Sequence, residues 1–211
     1  MNFDKNVTIK FSDDAFRRMD EAPDEKFYAI PRFTSHIDFG AIESVTELYR
    51  KYLPENSYIL DLMSSFLSHF PADKCYSHVV GLGMNEREMA NNKQLDEWVV
   101  HDLNDQPKLP FKNNFFDAGT ICVSIDYLTD PVAVIKNMGR VLKKDAPLII
   151  TYSNRYFESK ATAAWLSLSD EQRAYLIKSF LEETQCFGDI ELMDCSPEMG
   201  DPLYAVIAKA I

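Results

Sequence analysis

Short apolar runs and stretches of helical period alternate along the chain once Pro54 is passed. The segments 57–62 (SYILDL), 78–83 (HVVGLG), 98–102, 116–123 (FDAGTICV) and 147–152 (PLIITY) are short and apolar, which predicts five buried strands. Between them, 64–70 fits one or two helical turns stopped by Pro71. Asn85 opens a helix, with Glu88 three residues on as its capping-box partner. Asp130 and Pro131 place a cap residue before a proline at the first helical position, predicting a helix to about Leu142. Ser169 and Gln172 form a second capping box, leading into Tyr175, Leu176, Phe180 and Leu181. Two further strands, 190–193 and 203–208, follow with no helix between them. This alternation predicts an α/β fold: a seven-stranded, mainly parallel sheet with one antiparallel strand and helices on both faces.

The first 55 residues read differently. Polar turns punctuated by Pro31 and Gly40 bracket the start of an amphipathic helix over 38–53, where Ile42, Val45, Leu48, Tyr49 and Tyr52 recur at helical spacing. No Gly/Ser-rich linker follows. Residues 1–55 are therefore expected to form a helical cap packed onto a main domain of residues 56–211.

Five parallel strand–helix units closed by a terminal β-hairpin resemble the Rossmann-like class I S-adenosylmethionine-dependent methyltransferases. Ile59-Leu60-Asp61-Leu62 is similar to that family's first strand and its acidic end, and Val79-Val80-Gly81-Leu82 to the second. Asp102, Leu109-Pro110-Phe111 and Phe116-Asp117-Ala118 resemble the passage from the third strand into the fourth. Arg140-Val141-Leu142-Lys143-Lys144 resembles the helix end before the fifth. The phrases PRFTSHID, LDLMSSFLSHFP, VVGLGMN, DEWVVHDLN and YSNRYF are similar to a narrower methyltransferase type 11-like group. The resemblance implies S-adenosylmethionine as cofactor and direct methyl transfer to a small molecule.

In open α/β sheets a ligand binds at the carboxyl ends of the strands where their order reverses. In this family that crevice lies between the first and fourth strands. The resemblance places Asp61 near the cofactor's methionine end; the alternative is that Asp61 caps the next helix. Two departures stand out. Met63-Ser64-Ser65-Phe66-Leu67 has no glycine where the family has a GxGxG-like turn, although the backbone there takes positive φ and the ligand approaches closely. Either the hydroxyls of Ser64, Ser65 and Ser68 and a helix N-terminus stand in, or Met63 and Phe66 fill the space. Gly83 then stands where the family has an acidic residue for the ribose. Asn85 or Glu86 is the substitute, or Asn85 is only an N-cap. Asp102 would accept from the adenine amino group, with the Leu103 backbone beside the ring. Gly81-Leu82-Gly83 is not a dinucleotide motif, which would need glycine at position 86 and a place after the first strand.

Methyl transfer depends on alignment and on a nucleophile freed of its proton. His36, in the cap, and His69, on the turn facing the cofactor, are the candidate bases, since histidine titrates near neutrality. Tyr28 and Tyr127 are candidates to position a substrate, and aromatic faces suit a sulfonium cation. Ser124 and Asp126 after the fourth strand are candidate substrate contacts, as are Asn154 and Arg155 after the fifth, the latter pair for a carboxylate or other polar end.

Composition changes this picture only at its edges. A net charge of −11 with no Lys/Arg run argues against a nucleic-acid partner and mildly favours a neutral or cationic acceptor. The four cysteines, Cys75, Cys122, Cys186 and Cys195, form no CxxC or zinc-like spacing, so no metal is expected. No apolar run is long enough to span a bilayer, and the opening residues do not resemble a signal peptide. A soluble, cytoplasmic protein without a membrane partner is expected, and nothing in the sequence sets its oligomeric state. The competing reading is a Rossmann-like binding or regulatory protein that has lost methyl transfer. An open cleft after Asp61 favours the enzyme; one filled by Met63 and Phe66 favours its rival.

Overall fold

The computed structural model describes residues 14–211. Seven strands, β1 (Tyr58–Leu62), β2 (His78–Gly83), β3 (Glu97–Val100), β4 (Ala118–Cys122), β5 (Pro147–Tyr152), β6 (Phe187–Asp194) and β7 (Tyr204–Ala210), form one sheet in the order β3-β2-β1-β4-β5-β7-β6. The first five pair in parallel, and β7 runs antiparallel to both β5 and β6. One strand is thus reversed, as the closing pair of strands predicts. The strand order reverses between β1 and β4.

Because side chains alternate across a strand, each apolar run feeds two cores. On one face, α2 (Phe39–Tyr52) sets Ala41, Val45 and Tyr49 against Ile59, Val79, Ile149 and Ile207. On the other, α4 (Pro131–Val141) and α6 (Asp170–Thr184) set Ile135, Met138, Ile177 and Leu181 against Leu60, Ile121, Leu148 and Val206. Short helices α1 (Asp24–Tyr28), α3 (Glu86–Ala90) and α5 (Ala163–Ser167) complete the set, with α1 and α5 outside the sequence expectation.

The Asp130 and Ser169 signals act as read, and Asp38 adds a cap outside the sequence expectation. Asp38 and Asp130 accept the amides of Ala41 and Ala133, each at 3.0 Å, and Ser169 with Gln172 makes both bonds of its box.

One expected element does not form. Residues 64–70 are an irregular loop, because their polar groups are engaged elsewhere. Ser64 and Ser68 donate their hydroxyls to Asp61 Oδ2 at 2.6 and 2.7 Å, and Asn92 donates to the Ser65 carbonyl at 3.0 Å. With no helix after β1, Asp61 caps nothing. Strand β3 also stops short of Asp102, whose Oδ1 takes the Asn104 amide at 2.9 Å and turns the chain.

Ahead of α2, the chain is pinned across the carboxyl edge of the sheet by buried charge. Lys160, fully buried, ion-pairs with Asp24 at 3.0 Å and Asp20 at 3.1 Å, and donates to the Ala22 carbonyl at 2.8 Å. Arg18 pairs with Asp24 at 2.8 Å, and Asn104 donates to the same carboxylate. Through these contacts the cluster ties the roof to the segment after β5 and to the turn after β3.

Candidate functional site

A cavity of about 480 Å³ lies between that roof and the carboxyl ends of β1 to β5. Of the candidates named from the sequence, all line it except Ser68, Glu86 and Asp126. Phe66 is also absent from the lining: its ring packs edge-on against Phe33, 5.3 Å between centres, and leaves the cleft open.

The floor is built around Asp61. It is 2% exposed, and Thr120 adds a third hydroxyl bond, 2.9 Å to Oδ1. Burial raises this carboxyl, and the three hydroxyls oppose the shift. The loop beyond it carries the conformation that glycine was expected to supply. Met63 has φ +58° and His69 φ +61°, and after β4 the β-branched Val123 has φ +48°. All three line the cavity. A left-handed backbone costs such residues about 1–2 kcal/mol each, and strain of this kind gathers at ligand sites.

Gly83 has a local cause. The Ser64 amide donates to the Leu82 carbonyl at 2.8 Å, which draws the loop over the end of β2. A Cβ at Gly83 would overlap the Ser64 carbonyl oxygen. The loop therefore runs where the family's acidic side chain would stand. Asn85 is an N-cap, accepting the Glu88 amide at 3.1 Å, and its Nδ2 is engaged by the Tyr28 carbonyl at 2.7 Å. Both ends of its side chain are thus engaged.

The acidic group that helix α3 brings to the cavity is Glu88, which sequence reasoning assigned to a capping box. Its carboxylate instead accepts the Ser65 hydroxyl at 2.5 Å and the Arg32 amide at 2.6 Å. The i, i+3 spacing paired the Glu88 amide with Asn85 correctly, and only the carboxylate half of the box is not made. Asp102 keeps Oδ2 without a hydrogen-bond partner among the described residues, with buried Leu103 beside it.

His69 is half-buried, and loss of water lowers its pKa to about 4, with the charge of His36 adding to the shift. It is neutral at pH 7, with a lone pair to offer. The ring of His36 lies edge-on to Phe157 at 5.5 Å near the mouth; partial burial lowers its pKa against the pull of Glu88.

Beyond β4, Ser124 is buried in the wall with its Oγ unpartnered. Asp126 lies on the 3-10 turn Ile125–Tyr127, buried outside the lining. Its Oδ2 has no partner among the described residues, and burial pushes its carboxyl up to about 8 despite the charge of Arg173. That turn carries Asp126 away from the cavity, so it is not placed for substrate contact. The Tyr127 hydroxyl accepts the Phe157 amide at 2.9 Å. Cys122 also faces the cavity, and burial raises its thiol to about 11, which keeps it protonated.

An open cavity at the β1/β4 reversal, under a roof and edged by left-handed turns, is the decisive arrangement, and the methyltransferase domain family matches residues 46–150. Residues 46–150 of the chain are a class I methyltransferase-like domain. No curated protein matches it significantly in sequence. Solved structures with the same fold include an S-adenosylmethionine-dependent methyltransferase from Aquifex aeolicus, 18% identical, TM-score 0.56, over 82% of this chain and 92% of that one. The [4+2]-cyclase SpnF is 14% identical, TM-score 0.60, over 79% and 80%. A chain of the complex between the Haloferax volcanii Trm112 methyltransferase activator and a methyltransferase is 14% identical, TM-score 0.61, over 81% and 90%. At these identities the likeness is one of fold. Among the described residues of this methyltransferase-like chain, no helix is long and apolar enough to cross a membrane, and no cluster of metal-ligating side chains is present.

Proposed function

We propose that this protein transfers a methyl group from S-adenosylmethionine to a small molecule held under the roof. The observation that carries the reading is the open cavity at the β1/β4 reversal, with Asp102 unengaged on one oxygen and neutral His69 on the same wall system. The volume suits a ligand of nucleoside size, and the donor set fits one in pieces. Asp102 and Leu103 would hold the adenine, and Glu88 with the Ser65 hydroxyl stands nearest the role that Gly83 has vacated. Asp61 would set the charge of the floor through its hydroxyl ring. Bound there, the cofactor supplies an electrophilic methyl carbon on a sulfonium. The chain's own part is to align the acceptor, exclude water beneath the roof, and take a proton at an imidazole nitrogen of His69, with His36 at the mouth as the alternative base. Tyr28, Ser124, Tyr127, Asn154 and Arg155 would position the acceptor.

The rival reading, a binding or regulatory protein on the same fold, is favoured by one observation: the loop lies across the ribose-acid position. Calorimetry with S-adenosylmethionine and S-adenosylhomocysteine separates the two. Micromolar binding, weakened by Asp102→Ala and by Glu88→Gln, supports the enzyme. No heat and no thermal shift at millimolar cofactor removes it and leaves the rival.

A further inference from the structure

The two ends of the cavity carry opposite charge. Asp61 and Asp102 stand at the ends of β1 and β3, whereas the roof and the segment after β5 bring Arg32 and Arg155. Arg32 makes no ion pair among the described residues. Its guanidinium lies 4.6 Å from the centre of the Phe27 ring and 5.1 Å from that of Phe157, and donates weakly to the Phe27 and Ile30 carbonyls at 3.2 and 3.5 Å. Arg155 uses only Nε, 2.7 Å from Asp201, and its terminal nitrogens have no partner among the described residues. Four carboxylates stand near the pair, and none takes a terminal guanidinium nitrogen: Asp201 pairs with Arg155 through Nε alone, Asp24 is held by Arg18 and Lys160, Glu88 is engaged by Ser65 and the Arg32 amide, and Glu158 is exposed. The buried Ser124 Oγ, unpartnered and facing the cavity, is a further donor left without an acceptor.

The Arg32 guanidinium, held against aromatic rings, and the terminal nitrogens of Arg155, in a chain of net charge −11, are placed for an anionic oxygen group. We propose that the roof end of the cavity binds a small molecule bearing a carboxylate or phosphate, clamped by Arg32 and Arg155, with its apolar body against Phe157. Resting on the methyl-transfer reading, this makes the acceptor anionic, contrary to what the overall charge suggests. The guanidinium fork takes two oxygens of either group side by side.

The test needs no cofactor. Phenylacetate and phenyl phosphate are titrated into the full chain by calorimetry and thermal shift, with phenylacetamide as the uncharged match. The clamp predicts that both anions, or the one whose group is native to the site, bind at least about tenfold more tightly than the amide. Arg32→Gln should abolish that preference, and Arg155→Gln should cut it about threefold or more; Arg32→Lys, which keeps the charge and loses the fork, should fall between wild type and Arg32→Gln. Unfolding curves without ligand establish that each variant is folded, and Arg155→Gln, at an exposed side chain, carries the test if Arg32→Gln does not fold. Equal binding of amide and anions, or unchanged preference in the folded arginine variants, overturns the clamp. S-adenosylmethionine binding without anion preference overturns the clamp and leaves methyl transfer standing. Anion preference without cofactor binding keeps the anion site and overturns its role as an acceptor site.

Discussion

The ends of β1 and β3 both present an aspartate to the cavity, and the two are in opposite states. Asp61 is sealed in and takes three hydroxyls, from Ser64, Ser68 and Thr120. Asp102 is half-exposed and uses one oxygen to turn the chain. A third, Asp126 beyond β4, is as buried as Asp61 but lacks the hydroxyls, and one oxygen goes unpartnered among the described residues. The contrast teaches that a carboxylate at a strand end is not one kind of group. Asp61 shapes the loop, Asp102 keeps one oxygen unengaged among the described residues, and burial raises the Asp126 carboxyl.

The largest effect is expected at Asp61. Asp61→Ala orphans buried hydroxyls and releases the 63–70 loop, so urea denaturation should register a loss of about 3 kcal/mol or more. A loss under about 1 kcal/mol would mean that the loop holds itself and that the contrast with Asp102 is false.

Asp126 sharpens the comparison through pH. Its folded pKa of about 8 lies above the unfolded value of about 4, so the folded chain holds a proton that the unfolded chain releases. The stabilisation is complete below about pH 4 and is lost as pH rises through about 8. Wild-type stability should therefore fall from pH 5 to pH 9, and Asp126→Asn should flatten that slope, gaining on the order of 2 kcal/mol at pH 9. An undiminished slope in the variant would assign the titration elsewhere.

Asp102→Ala is expected to leave stability within about 0.5 kcal/mol and to weaken S-adenosylmethionine about tenfold by calorimetry. A large loss of stability with unchanged affinity would make Asp102 a structural residue like Asp61. The smallest effect is at the left-handed Met63. Met63→Gly removes the clash of Cβ with the backbone and should raise stability by about 0.5 kcal/mol, the relief of strain exceeding the added freedom of the unfolded chain. Any fall in stability would show that Met63's packing outweighs its strain.

Much of this molecule was legible from local rules. Strand β2 and strand β5 were bounded correctly because each apolar run ends at a turn, and the Ser169–Gln172 box predicted both of its bonds. The 64–70 segment, read as one or two helical turns before Pro71, is a loop because a buried carboxylate gathers its hydroxyls, a contact set by the packed sheet rather than by local spacing. Asp126 looked like a substrate contact from its place after the fourth strand, and a single 3-10 turn rotated it out of the cavity. Glu88 and Arg32 were missed as a pair because 56 residues separate the amide from the carboxylate that accepts it, a contact that no spacing rule can show.

The contact between Gly83 and the Ser64 carbonyl carries a consequence for how such a chain can change. The missing glycines of the first loop and the missing acid of the second strand are two sides of one steric decision. An aspartate restored at position 83 alone would strike the loop backbone, and a glycine loop restored alone would find no acid waiting. Each single step back is barred by the other, so a return to the usual arrangement requires both at once, and sequence drift is confined to solutions that keep Ser64 lying across Gly83.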